Sequence, residues 1–298
     1  MNKILSRFIP ADRIFANEPM SRHTSFKIGG PADTYVQPAS REELVRIISE
    51  CKSHSAPFVV IGHGTNILVP DEGLRKAVIQ LYPHLSECRL GENKMHLSAD
   101  AGALLSAAAD LAQRESLTGL EFASGIPGTV GGAICMNAGA YGHEIADVCV
   151  SVDLLMPDGE VVTATKEEMA FGYRRSIINE NGGIVLSAEF ALTPGDRNVI
   201  LEYTKDLNRR RRESQPLEYP SAGSTFRRPA GHYAGKLISD CGLKGYSVGA
   251  AQVSEKHAGF VINTGGATAK DVLDLMEHIR STVRENYGVE LEPEVKIL

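Results

Sequence analysis

The stretch GIPGTVGGAICMNAGAYG, from Gly125 to Gly142, holds six glycines in eighteen residues and no charge. Glycine weakens helices and strands through its extra backbone freedom, so such a run persists only where the backbone has special work. Two readings follow. One is a tight, buried, multi-turn connection. The other is a cradle of peptide N–H groups that closes on an anion or a flat cofactor. A second cluster lies in VVIGHGTNILV, which reads as a strand followed by a tight Gly-x-Gly turn. A dinucleotide fingerprint needs a third glycine at position 67, and that residue is Ile67, so the Rossmann pattern fails. No G-x-x-x-x-G-K-S/T occurs, which excludes a P-loop. What remains is a turn with Thr65 and Asn66 beside exposed backbone, suited to a pyrophosphate bound without lysine.

The chain of 298 residues is long enough for two or three domains. Its net charge of −6 argues against nucleic acid as the main partner. The one basic run, Arg209 to Arg212, reads as a solvated helix face or as a guide for a polyanionic ligand. Five cysteines without C-x-x-C spacing point to a reducing compartment and offer no thiolate zinc site. No signal-like or membrane-spanning segment stands out, so a cytoplasmic protein without membrane insertion is expected.

Local patterns mix α and β. SREELVRIISEC carries Ser40 as N-cap and Glu43 three residues on, a capping box. TKEE, starting at Thr165, repeats that signature. PFVVIG, GIVLSAEFAL and GFVIN read as strands, and VSVDLLMPDGEVVTAT as a hairpin turning at Asp158-Gly159. VILEYTKDLNRRRRE and TAKDVLDLMEHIRSTVRENYG read as helices. In the latter, Val272, Leu275, Met276, Ile279 and Val283 form a core stripe between Thr268 and Gly288. The final VELEPEVKIL alternates with period two, with Val289, Leu291, Val295 and Ile297 on one face and Pro293 marking an edge or bulge.

Six segments in order, RHTSFKIGGPA, GHGTN, GIPGTVGGAICMNAGAYG, FGYRRS, SAGSTFRRP and LEPEVKIL, resemble the bacterial UDP-N-acetylenolpyruvoylglucosamine reductase family, from about Arg22 to Leu298. The resemblance implies an α+β fold. An FAD-binding unit of the vanillyl-alcohol-oxidase (PCMH) type would form two subdomains, 1–85 and 86–195. A C-terminal α+β substrate domain would span 196–298. It implies non-covalent FAD, with NADPH as hydride donor and a UDP-sugar enolpyruvyl ether as substrate. The expected FAD contacts are Gly62, Gly64, Thr65, Asn66, Ser124, Gly125, Ile126, Gly128, Gly131, Gly132, Asn137 and Gly139. His63 stands where many relatives have glycine, and Thr65 where many have serine. The compact length resembles the shorter type, without an inserted tyrosine loop over the substrate. No metal is implied, and a monomer is expected.

Three positions match the family's catalytic residues. Arg174 in FGYRRS would bind the substrate carboxylate as a bidentate fork. Ser224 in SAGSTF would donate a proton to the enolate. Glu294 in LEPEVKIL would act beside Arg174, neutral when substrate is bound, because an ionised carboxylate there would repel the substrate's own. Alternation alone does not choose Glu294 over Glu290 or Glu292. Two other readings stay open: a flavin-binding module without this activity, and an FAD-dependent oxidase of the same superfamily. In the second, His63 or His143 would be candidates for a covalent flavin bond.

Overall fold

The computed structural model describes residues 1–298. The chain forms two compact units. The first comprises residues 1–16, 34–63 and 76–211; the second comprises 17–33, 64–75 and 212–298. Residues 17–33 and 64–75, expected with the first FAD-binding subdomain, therefore group with the C-terminal segment. Nothing in their local sequence signals this, because the grouping is set by partners some two hundred positions away.

The first unit is built on a five-stranded antiparallel sheet in the order Val161–Thr165, Cys149–Leu155, Ile184–Ala191, His96–Asp100, Cys88–Leu90. The hairpin at Asp158-Gly159 forms as the sequence predicts, with Leu155 opposite Val161. Leu154, Val185, Ala188, Phe190 and Leu97 are buried against the small-residue helix Leu105–Arg114 and the helix Val130–Met136. Alanines on the first of these helices, Ala108, Ala109 and Ala112, allow close approach. Phe58–Ile61 pairs in parallel with Ala77–Gln80 beside the helix Arg41–Ser53. That helix is capped as predicted, with Ser40 accepting from the Glu43 N–H at 3.2 Å. The Glu43 carboxylate turns instead to Arg13 and the Ala39 N–H. At Thr165 both halves of a capping box form with Glu168, yet only a turn follows.

The second unit packs the helices Ala234–Asp240 and Ala269–Tyr287 on a four-stranded sheet, Ser221–Ser224, Phe260–Asn263, Ala251–Val253, Ser247–Val248. The predicted stripe is its core: Val272, Leu275, Ile279 and Val283 are wholly buried. Each such side chain contributes roughly 1.5–3 kcal/mol. The helix starts at Thr268 with a full capping box to Asp271 and stops at Gly288, which has φ +66°. The predicted C-terminal strand is mostly not one. Only Lys296–Ile297 joins a ladder, in parallel with Ile67–Leu68. Leu291 and Val295 are buried as expected, whereas Ile297 is half exposed. Pro293 makes an isolated bridge to Phe226.

Asp71 supplies a tertiary cap that the sequence did not announce. Its two carboxylate oxygens accept from the N–H groups of Ala269 and Lys270 at 2.8 and 3.0 Å. A carboxylate at a helix N-terminus meets both unsatisfied donors and the positive end of the dipole. Asp71→Ala should therefore destabilise the protein by about 1–2 kcal/mol, the range of a lost cap. Asp71→Asn should recover part of that loss. Urea unfolding of the three proteins measures it, and an unchanged midpoint for Asp71→Ala would refute the assignment.

Candidate active site

The glycine-rich stretch is shaped first by the protein's own backbone. The N–H groups of Val130 and Gly131 donate to the carbonyls of Ala103 and Ala101, both at 2.8 Å, and that of Ile126 donates to Ala123. A Cβ on Gly131 would lie 3.0 Å from the Ala101 carbonyl oxygen. One on Gly125 would meet Asn208 and Arg211, and one on Gly139 would meet Glu144. Gly128 and Gly142 hold positive φ. Gly142 follows Tyr141, also at positive φ, in the two-residue turn of the hairpin Gly139–Ala140/His143–Glu144. Much of the tight-connection reading is therefore correct. The amides of Ile126 and Gly131, two of the expected FAD contacts, are already engaged, as is that of Val130.

Two features are left over by this packing. Gly132 is exposed in the first turn of Val130–Met136, and a Cβ there would approach only Thr129 Oγ1, at 3.7 Å. No neighbour in the chain requires glycine at this position. Arg211 is the second. Its Nε is buried without a partner, and it makes no ion pair. Burial holds its guanidinium below the usual arginine range, with only Tyr141 acting the other way. Arg209 and Arg210 reach Asp206, each at 2.6 Å, so the solvated-face reading holds for them and fails for Arg211. The signal was present: Ile200, Thr204 and Leu207 are buried, and Arg211 continues their i, i+4, i+7 spacing.

The other candidate cofactor residues divide. Gly62 faces Thr129, so the first turn meets the glycine-rich loop within the first unit. Ser124 donates to the Glu121 carbonyl and accepts from Asn208. Asn137 is wholly buried in a left-handed conformation, with its amide on the Gly172 carbonyl and its oxygen on the Ala146 N–H. Gly64, Thr65 and Asn66 belong to the second unit. There Gly64 adopts φ +67° with its Cα against His23, and the Asn66 amide donates to the Glu294 carbonyl at 3.2 Å. His63 keeps ordinary φ and packs edge-on to Tyr82 at 4.6 Å. His143 is exposed beside Asp147.

Arg174 lies in the first unit, on a tight turn closed by reciprocal hydrogen bonds between Gly172 and Arg175. Its φ is +55°, a conformation that costs a non-glycine residue roughly 1–3 kcal/mol and that clusters at functional sites. The guanidinium donates to the Gly139 carbonyl at 3.3 Å and lies 5.0 Å from the Tyr173 ring centroid. The end of the glycine-rich loop and the predicted carboxylate binder are thus adjacent.

Ser224 and Glu294 come together in the second unit. Ser221 pairs with Ile262 and Ser224 with Phe260, so this strand carries one extra residue, a bulge with Gly223 at φ +77°. The bulge leaves the Ser224 side chain exposed. Next to it, Thr225 is buried: its N–H donates to Gly259 and its hydroxyl accepts from Val261. The Thr225 carbonyl accepts the Glu294 N–H at 2.8 Å, and the Glu292 carbonyl accepts from Arg227. The three glutamates are now distinct. Glu290 and Glu292 are exposed, near Arg284 and Arg227 respectively, while Glu294 is half buried beside the serine strand. His257, missed in the sequence, packs edge-on against Phe260, the ladder partner of Ser224, with ring centroids 5.0 Å apart. Burial lowers its pKa, and Nδ1 accepts the Gly259 N–H at 3.1 Å. No group of three or more His, Cys, Asp or Glu side chains forms a metal site. No helix is long and apolar enough to cross a membrane.

Residues 32–165 match an FAD binding domain, and residues 215–298 match the UDP-N-acetylenolpyruvoylglucosamine reductase C-terminal domain. The reductase of Caldanaerobacter subterraneus is 51% identical, covering 99% of this chain and 96% of its own. That of Clostridium novyi is 49% identical over 100% and 96%. The crystal structure of UDP-N-acetylenolpyruvylglucosamine reductase (MurB) from Thermus caldophilus superposes with a TM-score of 0.82 at 38% identity, covering 94% and 97%. A Phl p 4 variant, a glucose oxidase, shares the fold alone at TM-score 0.50 and 16% identity, over 65% of this chain and 44% of that one. With half its residues identical to curated reductases over nearly the full length, this chain belongs to the UDP-N-acetylenolpyruvoylglucosamine reductase family.

Proposed function

We propose that this protein reduces the enolpyruvyl ether of UDP-N-acetylenolpyruvoylglucosamine to the lactyl ether of UDP-N-acetylmuramate, with FAD bound non-covalently and NADPH as hydride donor. The observation that carries this reading is the hydrogen-bonded pairing of the Ser224 strand with the Glu294 segment. A flavin-binding module would have no need of a hydroxyl lifted out of its strand beside a half-buried carboxylate.

The residues present suit a flavin dinucleotide. Gly132 leaves open room that no side chain of the protein fills, and Arg211 is a half-buried cation whose Nε has no partner in the protein. These two residues, with the Gly62 and Gly128 backbone, would hold it. When bound, FAD supplies a hydride acceptor and donor. The protein handles the charge. Net hydride addition at the vinyl carbon leaves negative charge spread over the substrate's α-carbon and carboxylate. The Arg174 guanidinium binds that carboxylate and stabilises the charge. The Ser224 hydroxyl delivers the proton to the α-carbon. Glu294, kept neutral by the anion it faces, donates a hydrogen bond to the developing charge. Absorbance of the anaerobic protein with NADPH, and then with the enolpyruvyl substrate, tests the whole reading. Flavin should bleach in the first step and recover in the second.

Substitutions at four positions separate the parts. Gly132→Val should fold normally and lose flavin, since its side chain enters space the protein leaves open. Gly131→Val should destabilise the fold itself, because its Cβ meets the Ala101 carbonyl. Flavin content and thermal melts together distinguish the two, and fully flavinated Gly132→Val would sink the placement.

Ser224→Ala should reduce flavin with NADPH at near the wild-type rate. It should slow reoxidation by substrate at least roughly 10²-fold, the low end for a positioned acid. Equal slowing of both halves in stopped-flow traces would make Ser224 a binding residue and not the donor.

Glu294→Ala should slow the same half-reaction by roughly 10²–10³-fold, the scale of losing a preorganised donor. Glu294→Gln keeps an N–H and should recover a measurable part. A Gln variant as slow as Ala, with folding and flavin intact, would show that the proton itself must move.

A further inference from the structure

Resting on the role proposed for Glu294, we infer that Asn66 is a positioning residue for that carboxylate and not a ligand of the cofactor. The Glu294 main chain is held from two sides. Its N–H donates to Thr225, the residue after Ser224, at 2.8 Å. Its carbonyl accepts from the Asn66 Nδ2 at 3.2 Å. The next bond along the chain is between backbones, with the Lys296 N–H donating to the Asn66 carbonyl at 2.9 Å. From there a parallel ladder begins, Lys296 opposite Ile67 and Ile297 opposite Leu68. Asn66 therefore extends the ladder by one bond through its side chain, at the residue whose position matters for chemistry.

The reason for an amide is geometric. Pro293, with no N–H of its own, precedes Glu294 and sits in an isolated bridge to Phe226. The segment 289–295 is not a regular strand, so ladder hydrogen bonds alone do not fix Glu294. A side chain with a donor at its tip, half buried and anchored through its own carbonyl, supplies the missing restraint. With that amide on Glu294, Asn66 ties the segment that starts at Gly64 to the Glu294 segment within one unit.

A double-mutant cycle tests this. In Asn66→Ala, substrate-driven flavin reoxidation should slow by about 10- to 100-fold, the cost of a small misplacement of a catalytic group. FAD content should be retained. Asn66→Asp, an isostere that turns an acceptor toward the Glu294 carbonyl, should be at least as slow. In a Glu294→Ala background, adding Asn66→Ala should slow the reaction no further, because a residue that acts through Glu294 has nothing left to position. Independent, multiplying effects of the two substitutions would overturn the inference, as would loss of FAD from Asn66→Asp with the fold intact. A Glu294→Ala protein as fast as wild type would instead remove the functional reading on which it rests.

Discussion

The second unit depends on a short run of hydrogen bonds, three between main chains and one from the Asn66 side chain, that joins three distant pieces of chain. Residues 292–296 lie between the serine strand and the segment starting at Asn66. The bonds from Arg227 to Glu292, Glu294 to Thr225, Asn66 to Glu294 and Lys296 to Asn66 form one continuous seam. An amide hydrogen bond contributes only about 0.5–1.5 kcal/mol net. The seam's value is positional: each bond fixes the register of the next, and register decides which side chain faces which way. The buried Thr225 is its hinge point, with every one of its polar groups engaged. A residue with no proposed chemistry of its own thereby fixes the segments that carry the hydroxyl and the carboxylate proposed to do the chemistry.

The glycine-rich stretch follows a related logic in the first unit. Gly125, Gly131 and Gly139 answer to neighbouring backbone and side chains, Gly128 and Gly142 to their positive φ, and Gly132 to neither. Dense packing of loop on loop makes a rigid floor, and a rigid floor is what a flat cofactor needs. Asn137 shows the connection. Its left-handed backbone ends the helix Val130–Met136, and its side chain fastens the turn that carries Arg174. The floor and the turn that carries Arg174 share one fastening.

What the sequence made legible was what local chemistry decides. Ser40 and Thr268 cap their helices, Gly288 ends one, and the Asp158-Gly159 hairpin forms, because each depends on neighbours within a few residues. The alternation of the final ten residues misled, since period two records which side chains are buried and not whether a ladder partner exists. The partner of Lys296–Ile297 lies about 230 residues upstream, at Ile67–Leu68, and covers only two residues. Arg211 was hidden for a different reason. Four consecutive arginines suggest a uniform surface, yet successive residues on a helix are about 100° apart, so one of the four had to turn inward. The motifs named Ser224 and Glu294 but not the hydrogen bonding between their segments, and only the bulge at Gly223 explains how an edge serine leaves the plane of its strand.

Arg174 and Ser224 solve the same problem by opposite means. Both must present a polar group away from the structure that carries it. Ser224 does so on a regular strand with one extra residue, and the left-handed conformation falls on Gly223, where it is nearly free. Arg174 takes the left-handed conformation itself, although glycine stands two positions before it at Gly172. A Cβ on Gly172 would meet the Arg175 side chain at 2.8 Å, so that glycine is needed for the turn's own closure and does not relieve Arg174. The strain is held by bonds around it: Asn137 on the Gly172 carbonyl, the reciprocal pair between Gly172 and Arg175, and the guanidinium on Gly139. Such a turn has little freedom to relax when an anion arrives or leaves. An arginine fixed in advance gives more stabilisation to charge that develops during reaction than one that must reorganise to meet it.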